Sequence, residues 1–499
     1  MTEVLFDGEV FNQDASPLHI QTLCCAEPKR SKIAHKNETR DSKLCFLKKM
    51  LGENAMHCNA LNPFSRQLAI ADNVRCLVRF EERDGEAQQS NIATLIQRLP
   101  ASKLGSGAGG CVNLVTFCGR DFAVKIVATK HPREKVISNS RVMNYWLFES
   151  KMQMFLSRHM IGLSCPTLAR CPNFVTQYAC EMTSYVPLIA KGRIVTKKFE
   201  QCYSRVDLIE YFDLGIPLLL KLNPKQPTCV FQSEEMSFSM IFQVLAAIVS
   251  MSAVGISHND LCCRNVLARR VPEGSLSYLF PATGSGSNDD EKEKVLSVNT
   301  RGVLFSVADF GVASCNMWER SGGDVRFDEA SRRYGRHGTL TEWYYDDDDA
   351  IKVPRRSLLL IDANNKPHHP LQAEIDTLER DIAGFFTDVV HECRKLVCAT
   401  RIEMYSLAIL TEFNVPRRLQ SAEEILKIAK RVLSREFVEL YFGSEMCDRF
   451  YDSQPPPHQH VYRLPTQYEG ANLERQLVEY LDSSARPDCY LRLSTKQDI

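Results

Sequence analysis

The sequence predicts an α+β protein whose strands lie in the front of the chain and whose helices lie in the back. Strand character is strongest in three front segments, CVNLVTF, DFAVKIVA and RVDLIEYF. Toward the C-terminus, LERDIAGFFTDVVHECRKLV and AEEILKIAKRVLSREFVELYF carry apolar residues at helical spacing. Strands and helices that are segregated along a chain in this way are typical of the α+β class.

The composition is that of an ordinary soluble globular protein. A chain of 499 residues is long for one hydrophobic core, so we expect two or three compact units. Its 44% hydrophobic and 24% charged residues exclude a disordered or fibrous protein. Lys plus Arg equals Asp plus Glu at 61 each, so the net charge indicates neither nucleic acid nor an anionic membrane as a partner.

The 19 cysteines are scattered and odd in number. The first residues, MTEVLFDGEVFNQ, are acidic where a signal peptide needs a basic and then an apolar region, so we expect reduced thiols and an intracellular protein. A structural zinc site is disfavoured because Cys24 and Cys25 are adjacent and HECRKLVC, residues 391–398, has no paired CxxC motif elsewhere.

One segment is nearly long enough to span a membrane. Residues 236–257 contain no charged side chain, but they include several serines and Gln243, and no basic flank follows them. We therefore expect a fully buried helix of a soluble domain and no membrane contact.

Three segments are polar or biased in composition. Residues 1–95 are mixed and indicate an extension with some helix, such as SKLCFLKKML. Residues 271–302 are rich in Gly, Ser and charge, which predicts a solvated, mobile loop. A second loop-like region, 314–370, contains the acidic run Asp346–Asp349.

A glycine-rich stretch, KLGSGAGGCVNLV, lies between residues of strand character. Gly105, Gly107 and Gly110 fit the pattern G-x-G-x-x-G, and Val112 follows. Glycine lets main-chain N–H groups approach a phosphate closely, although a plain glycine-rich hairpin has the same pattern. The stretch has no G-K-[ST] ending, and the next element has strand rather than helix character, which excludes a P-loop and a dinucleotide fold.

Lys125 lies in the middle of the apolar strand FAVKIV. A lysine there is costly to bury without an anionic partner, whereas at a strand edge it would reach water. Bound phosphate and a helix carboxylate are the candidate partners. Glu149, in the helix-like VMNYWLFESKMQMFLSRH, suits this better than Glu134, whose surroundings, KHPREK, are typical of a loop.

The stretch SHNDLCCRNVL resembles the catalytic loop of protein kinases, H-R-D-L-x-x-x-N, with His258, Asp260 and Asn265 in register. VADFGVA supplies the D-F-G element at residues 309–311. With the glycine loop, the strand lysine and the helix glutamate, five motifs occur in the order of that superfamily. The resemblance covers about residues 100 to 315 and is weaker beyond them.

The resemblance implies a two-lobed protein-kinase-like fold. Its boundaries would be an N-terminal extension at 1–95, a β-rich N-lobe at 96–209, a hinge at 210–215 and a helical C-lobe at 216–490. Asp260 and Asp309 lie farther apart than is usual in the family, and the polar segment at about 271–302 accounts for the surplus as an insertion.

The resemblance also implies ATP and Mg²⁺ as cofactors, with Mn²⁺ as an alternative ion. Asp260 would orient the substrate hydroxyl and accept its proton, Arg264 would offset developing charge, and Asn265 and Asp309 would hold the metal. The residues implied in nucleotide binding are Gly105, Gly107, Gly110, Val112, Lys125, Glu149, Glu210 and Phe212.

Several residues depart from the family pattern. Asn259 replaces the arginine that commonly contacts a phosphorylated activation loop, and no A-P-E motif is present. Cys262 stands where serine/threonine kinases usually carry lysine, while Arg264 stands where many tyrosine kinases carry arginine. The acid of the central C-lobe helix is Asp381 or Glu403, with Asp381 favoured.

These features predict an ATP-dependent kinase acting on serine or threonine of protein substrates, with tyrosine as an alternative. A catalytically silent scaffold and a small-molecule kinase of the same fold are the rival interpretations. The departures resemble divergent kinases of large DNA viruses, of iridovirus type before herpesvirus type. That origin implies a site of action in the host cytoplasm or nucleus, or in the virion. The sequence gives no oligomeric state.

Overall fold

The computed structural model combines a front antiparallel sheet with a largely helical back, which confirms the α+β class. It describes residues 3–6, 9–12, 101–107, 110–117, 120–132, 140–162, 169–183, 185–190, 193–198, 202–214, 230, 233–271, 273–283, 292–311, 313–315, 343–345, 349–351, 377–394, 399–413, 422–451 and 461–482.

The strands in chain order are β1 (Glu3–Phe6), β2 (Glu9–Asn12), β3 (Ala101–Gly107), β4 (Gly110–Phe117), β5 (Arg120–Pro132), β6 (Gln177–Thr183), β7 (Tyr185–Ala190), β8 (Arg193–Lys198), β9 (Cys202–Glu210), β10 (Ile256–Ser257), β11 (Val266–Arg270), β12 (Ser275–Phe280), β13 (Lys294–Asn299), β14 (Val303–Val307), β15 (Ser314–Cys315), β16 (Trp343–Tyr345), β17 (Asp349–Ile351) and β18 (Val461–Arg463). The helices are α1 (Ser140–His159), α2 (Glu234–Ala253), α3 (Thr377–Arg394), α4 (Thr400–Phe413), α5 (Ala422–Val432), α6 (Arg435–Phe442), α7 (Ser444–Phe450) and α8 (Gln467–Asp482).

The front sheet has the strand order β3-β4-β5-β9-β6, and all of its neighbours are antiparallel. Successive side chains of β5 point to opposite faces of the sheet, so this strand contributes residues both to the core and to the candidate site. Phe122, Val124 and Ile126 are buried on one face, and Lys125 therefore lies on the other. Helix α1 packs against β6 and against the C-terminal helix α8.

Helix α2 is the centre of the helical part. Ser233 caps its N-terminus by accepting a hydrogen bond from the Met236 amide. The helix is long and apolar enough to cross a membrane by length and composition, but 89% of its most apolar window is buried inside the protein. The ring of Phe238 stacks on that of Phe450 at 4.4 Å between centroids. The structure thus agrees with the expected buried core helix.

The prediction of a solvated loop over 271–302 is wrong at residues 275–280 and 294–299, which form strands. Strands β12 and β13 form an antiparallel hairpin, and β18 adds a parallel strand on the other side of β12. Every residue of β12 is buried. The composition was misleading because the polar run GSGSNDDEKE lies between two apolar strands, SLSYLF and KVLSVN. The glycine and charged residues of that run dominated the average composition of the segment and hid the two strands.

The hairpin is fastened to the core by a buried polar network. The Tyr278 hydroxyl donates to Oδ1 of Asn173 at 2.5 Å. Nδ2 of Asn173 then donates to Oε1 of Gln243 on α2 at 2.9 Å and to the Phe305 carbonyl at 2.8 Å. The described strands of the hairpin are therefore part of the protein interior.

Other expectations fall partly or wholly on residues outside the described ranges. Within 1–95 the structure describes only the β1–β2 hairpin, so SKLCFLKKML lies outside the described residues, as does most of 314–370. The boundaries at 96–209, 210–215 and 216–490 remain predictions. The long helical segment at 422–442 is divided into α5 and α6, because Ser434 accepts from the Phe437 amide and starts a new helix.

We expect Tyr278→Phe to lower the free energy of unfolding by about 1–2 kcal/mol, because it removes a hydroxyl donor from a buried network. Tyr468→Phe is the matched control, since Tyr468 is 83% exposed and its change should stay within about 0.5 kcal/mol. Urea unfolding of both variants measures the difference. Equal stabilities would show that the Tyr278 hydroxyl contributes nothing to the buried network.

Candidate active site

The glycine loop joins β3 to β4, with Gly105 opposite Val112 and Gly107 opposite Gly110. Gly110 has φ +141°, and a Cβ there would lie 2.2 Å from the carbonyl oxygen of Ile126. The packing of β4 on β5 therefore requires glycine at 110. Gly105 differs, since no described atom lies within 4 Å of a Cβ built on it, and the fold places no steric demand there.

Lys125 lies at the centre of a charged cluster. It is the cross-strand neighbour of Val112, so the two side chains share a face below the glycine loop. Its ammonium group forms ion pairs with Oε1 of Glu149 and, at 2.8 Å, with Oδ1 of Asp309. Burial alone would lower the pKa of Lys125, but Asp309 and Glu149 raise it above the ordinary value, so the lysine remains charged. Glu134, the weaker candidate partner, lies outside the described residues.

Glu149 has a second cationic partner that the sequence reasoning missed. Arg205 on β9 binds Oε2 of Glu149, and its Nε donates to Oδ2 of Asp207 at 2.8 Å. Burial would raise the pKa of the Glu149 carboxyl, but Lys125 and Arg205 outweigh it and hold that pKa well below its usual range. One signal was available: Arg205 and Asp207 are two charged residues at alternate positions of an apolar strand, which places them on one face.

Asp260 lies in a tight loop between β10 and a short 3₁₀ turn at Cys263–Asn265. Nδ2 of Asn265 donates to the Asp260 carbonyl at 2.7 Å and to its Oδ2 at 3.1 Å. The Arg264 guanidinium lies 3.6 Å from Oδ1 of Asp260 and is half-exposed. The Asp260 side chain is 22% exposed, so it remains accessible from solvent.

The loop is anchored from α3 by Asp381, which is 1% exposed. Its carboxylate accepts the backbone amides of His258 at 2.6 Å and Asn259 at 2.7 Å. Glu403, the alternative acid, instead pairs with Arg394 at 2.7 Å near the surface. The structure therefore assigns the anchoring role to Asp381.

Asn259, the residue that replaces arginine in the motif, has φ +63°. Asparagine tolerates this left-handed conformation better than most residues. The substitution therefore suits the backbone that the loop adopts.

The D-F-G element is attached to the same loop. The Ala308 amide donates to the Asn265 carbonyl at 2.8 Å, and His258 Nε2 lies 2.9 Å from the Ala308 carbonyl. The buried Phe310 ring packs against the His258 ring at 4.9 Å between centroids. Asp309 has φ +68°, an uncommon conformation for a non-glycine residue, and its side chain is 53% exposed.

Asn265 and Asp309 fit a hard cation such as Mg²⁺ as a partial ligand set. Mg²⁺ prefers oxygen ligands and is commonly held by one or two protein groups together with substrate phosphates. Both N–H groups of the Asn265 amide point to Asp260, which leaves its oxygen as an acceptor. In the described ranges no three His, Cys, Asp or Glu side chains form a metal cluster by themselves.

The hinge prediction concerns the end of β9. The Glu210 amide donates to the Thr176 carbonyl at 2.8 Å, and its carboxylate binds Arg269. Phe212 is buried, with the Arg269 guanidinium 5.7 Å from its ring centroid. The side chains of Glu210 and Phe212 thus have structural roles, and the nucleotide contact proposed for their backbone remains a prediction.

Comparison with known proteins supports a kinase-like chain. No protein-family model matches the sequence. A protein of Frog virus 3 (isolate Goorha), named "Putative serine/threonine-protein kinase 019R", is 26% identical over 221 residues, 42% of this chain and 22% of that protein. The chain thus matches about a fifth of the length of this relative. A solved kinase-domain crystal structure gives a TM-score of 0.26, with 14% identity over 46% of this chain and 55% of that one.

We expect Asp381→Asn to lower the free energy of unfolding by about 2–3 kcal/mol, because the ionised acceptor of two buried amides is lost and an amide N–H₂ group faces one of them. Glu403→Gln is the control, since it alters only a surface pair and should change stability by less than about 1 kcal/mol. Urea unfolding measures both. A larger effect of Glu403→Gln would contradict the assignment.

Proposed function

We propose that the protein is an ATP-dependent protein kinase that transfers the γ-phosphoryl group to serine or threonine hydroxyls of protein substrates. The observation that carries this proposal is the 2.8 Å contact between Lys125 and Asp309, which are 184 positions apart in the chain. Asp309 directly follows Ala308, whose amide is bonded to Asn265 beside Asp260. The charged groups that phosphoryl transfer requires are thus gathered in one region.

In this proposal, the protein works mainly by positioning groups and neutralising charge. Lys125 neutralises the ATP phosphates, and Gly105, where the fold demands no glycine, lets main-chain N–H groups approach them. Asn265 and Asp309 would hold Mg²⁺, or Mn²⁺, which supplies further charge neutralisation when bound. Backbone groups of residues 210–212 would bind adenine.

Asp260 orients the attacking hydroxyl and accepts its proton in this scheme. Its partial exposure supports that role, as do the hydrogen bonds that Asn265 donates to Oδ2 and to the main-chain carbonyl of Asp260, because the carboxylate is both held and accessible. Arg264, 3.6 Å from Asp260, would offset charge developing on the transferred phosphoryl group. Serine/threonine preference follows the name of the viral relative, and tyrosine is an outcome of the assay below.

We further propose that the chain is a viral kinase of iridovirus type that acts inside the host cell or in the virion. Its likeness to a protein of Frog virus 3 supports a viral origin. The balanced charge and the buried α2 support protein substrates rather than nucleic acid or a membrane.

We expect Asp260→Asn to lower kcat by at least about 100-fold, because the amide cannot accept the hydroxyl proton. Mg·ATP should still raise the thermal midpoint of this variant, since Asp260 does not bind the nucleotide. Labelled ATP with phosphoamino-acid analysis measures transfer to the protein itself and to added proteins. Asp448→Asn, at a 62% exposed surface aspartate, is the matched control and should keep full activity. Full activity of Asp260→Asn would refute the catalytic assignment.

Lys125→Met should abolish transfer and also weaken the stabilisation by Mg·ATP, because it removes the cation that would face the phosphates and leaves Oε1 of Glu149 without its cationic partner. Stabilisation of the wild type without any transfer would instead indicate a silent scaffold. Transfer to small hydroxyl compounds but not to proteins would indicate a small-molecule kinase.

A further inference from the structure

Helix α1 is held against β9 by a buried polar connection beside the predicted site. Glu149 and Ser150 are neighbours on this helix, and each contacts a charged residue of β9. Arg205 binds Oε2 of Glu149, and the Ser150 hydroxyl donates to Oδ1 of Asp207 at 2.6 Å. Arg205 and Asp207 are themselves joined at 2.8 Å. The connection is therefore a closed ring of contacts from helix to strand and back.

The ring is shielded from water on the β9 side. The side chains of Arg205 and Asp207 are each 3% exposed, and that of Glu149 is 16% exposed. Ion pairs in such surroundings are screened far less than surface pairs. Burial would lower the pKa of Arg205, but Asp207 and Glu149 raise it above the usual value, so the guanidinium stays charged.

The shape of the guanidinium matters as much as its charge. Its Nε binds Asp207 and its terminal Nη2 binds Glu149, so one planar group sets the separation of two carboxylates. A lysine ammonium is a point charge on a flexible stem and cannot fix both in this way. Asp207 is held further by Gln177 of β6, whose Nε2 donates to Oδ1 at 3.1 Å.

The ring acts on Lys125 through one atom pair. Glu149 gives Oε2 to Arg205 and keeps Oε1 for Lys125. If Arg205 were absent, nothing in the ring would hold the carboxylate in the rotation that presents Oε1 to the lysine.

We propose that Arg205 and Asp207 are positioning residues that fix Glu149, and through it Lys125, in the orientation needed for phosphoryl transfer. This inference rests on the proposed function for its effect on rate. Its structural part, the fastening of α1 to β9, does not depend on activity. The contacts named above join residues of α1, β6 and β9 of this chain.

The test compares Arg205→Met, Arg205→Lys and Ser150→Ala in the full chain. Arg205→Met should lower kcat at least about 10-fold, while the KM for ATP changes less than about 3-fold. The reason is that a displaced Lys125 loses more stabilisation of the transition state than of the bound ATP. Arg205→Lys should recover little of the lost kcat, because lysine restores the positive charge but not the planar guanidinium that binds both carboxylates. Ser150→Ala removes only one hydroxyl and should lower kcat about 3-fold. This variant tests the ring if Arg205→Met does not fold.

Lys430→Met is the matched control for removing a buried cation. Lys430 is fully buried, and its ammonium donates to the Lys292 carbonyl at 2.6 Å, far along the chain from the ring. This variant should lose stability and keep kcat within about 2-fold. A fall in kcat equal to that of Arg205→Met would show that buried cations act only through general stability and would overturn the inference.

A double variant tests the route through Glu149. Because the proposed route runs from Arg205 through Glu149 to Lys125, Arg205→Met should lower kcat by less than about 2-fold further in a Glu149→Gln background. If the fold-losses in kcat of the two single variants multiply in the double variant, the two residues act independently and the proposed route is overturned.

Hydrogen exchange of α1 gives a reading that needs no activity. Amides of residues 147–159 should exchange at least about 10-fold faster in Arg205→Met than in the wild type, and no faster in Lys430→Met. If the wild type transfers no phosphate, the proposed function fails and exchange still decides whether the ring holds α1. If exchange of α1 is unchanged by Arg205→Met, the inference fails whether or not the protein is an enzyme.

Discussion

The arrangement of the whole site depends on the Lys125 ammonium group and the two carboxylates that neutralise it. A buried charge costs several kcal/mol unless it is paired and hydrogen-bonded. Lys125 comes from β5, Glu149 from α1 and Asp309 from the turn after β14, so the compensation of one charge brings three elements together. Loss of either carboxylate would remove part of this compensation, so the pairing favours one arrangement of the three elements.

A second set of contacts places the loop that carries Asp260 relative to this cluster. Asp381 of α3 holds two consecutive amides of the loop, and His258 then contacts both Ala308 and Phe310. Asp381 therefore contacts the loop, and the loop in turn contacts the D-F-G element. Because Asp381, His258 and Phe310 are buried, packed groups rather than solvent connect α3 with the residues beside Asp309.

Helix α1 is braced on its far side by the C-terminal helix. The buried Lys151 donates its ammonium to the Leu481 carbonyl at 3.1 Å, which satisfies an acceptor at the end of α8. Leu473, Leu477 and Leu481 lie along one stripe of α8 and are buried. The helix that carries Glu149 is thus fixed between β9 and α8.

Local patterns predicted the parts of the fold that depend on local chemistry. The strand around Lys125, the helix around Glu149 and the buried α2 follow from periodicity, and the lysine–glutamate pair follows from the cost of an unpaired buried charge. The hairpin of residues 275–299 was missed because its polar tip dominated the composition of the segment. The choice between Asp381 and Glu403 depends on which carboxylate reaches the amide of His258, 123 positions earlier than Asp381, and no local pattern carries that information.

Exposure separates the charged residues of the site into two groups with different tasks. Arg205 and Asp207 are 3% exposed and Lys125 is 16% exposed, whereas Asp309 and Arg264 are 53% and 50% exposed. Buried charges interact strongly with one another and are insensitive to solvent, so they fix geometry. Exposed charges are free to exchange water for a ligand at little cost. Asn259, which stands where the family pattern has an arginine, adds no charge to either group. The orientation of Lys125 is therefore set mainly by the buried group, whereas the exposed group is the one that solvent can reach.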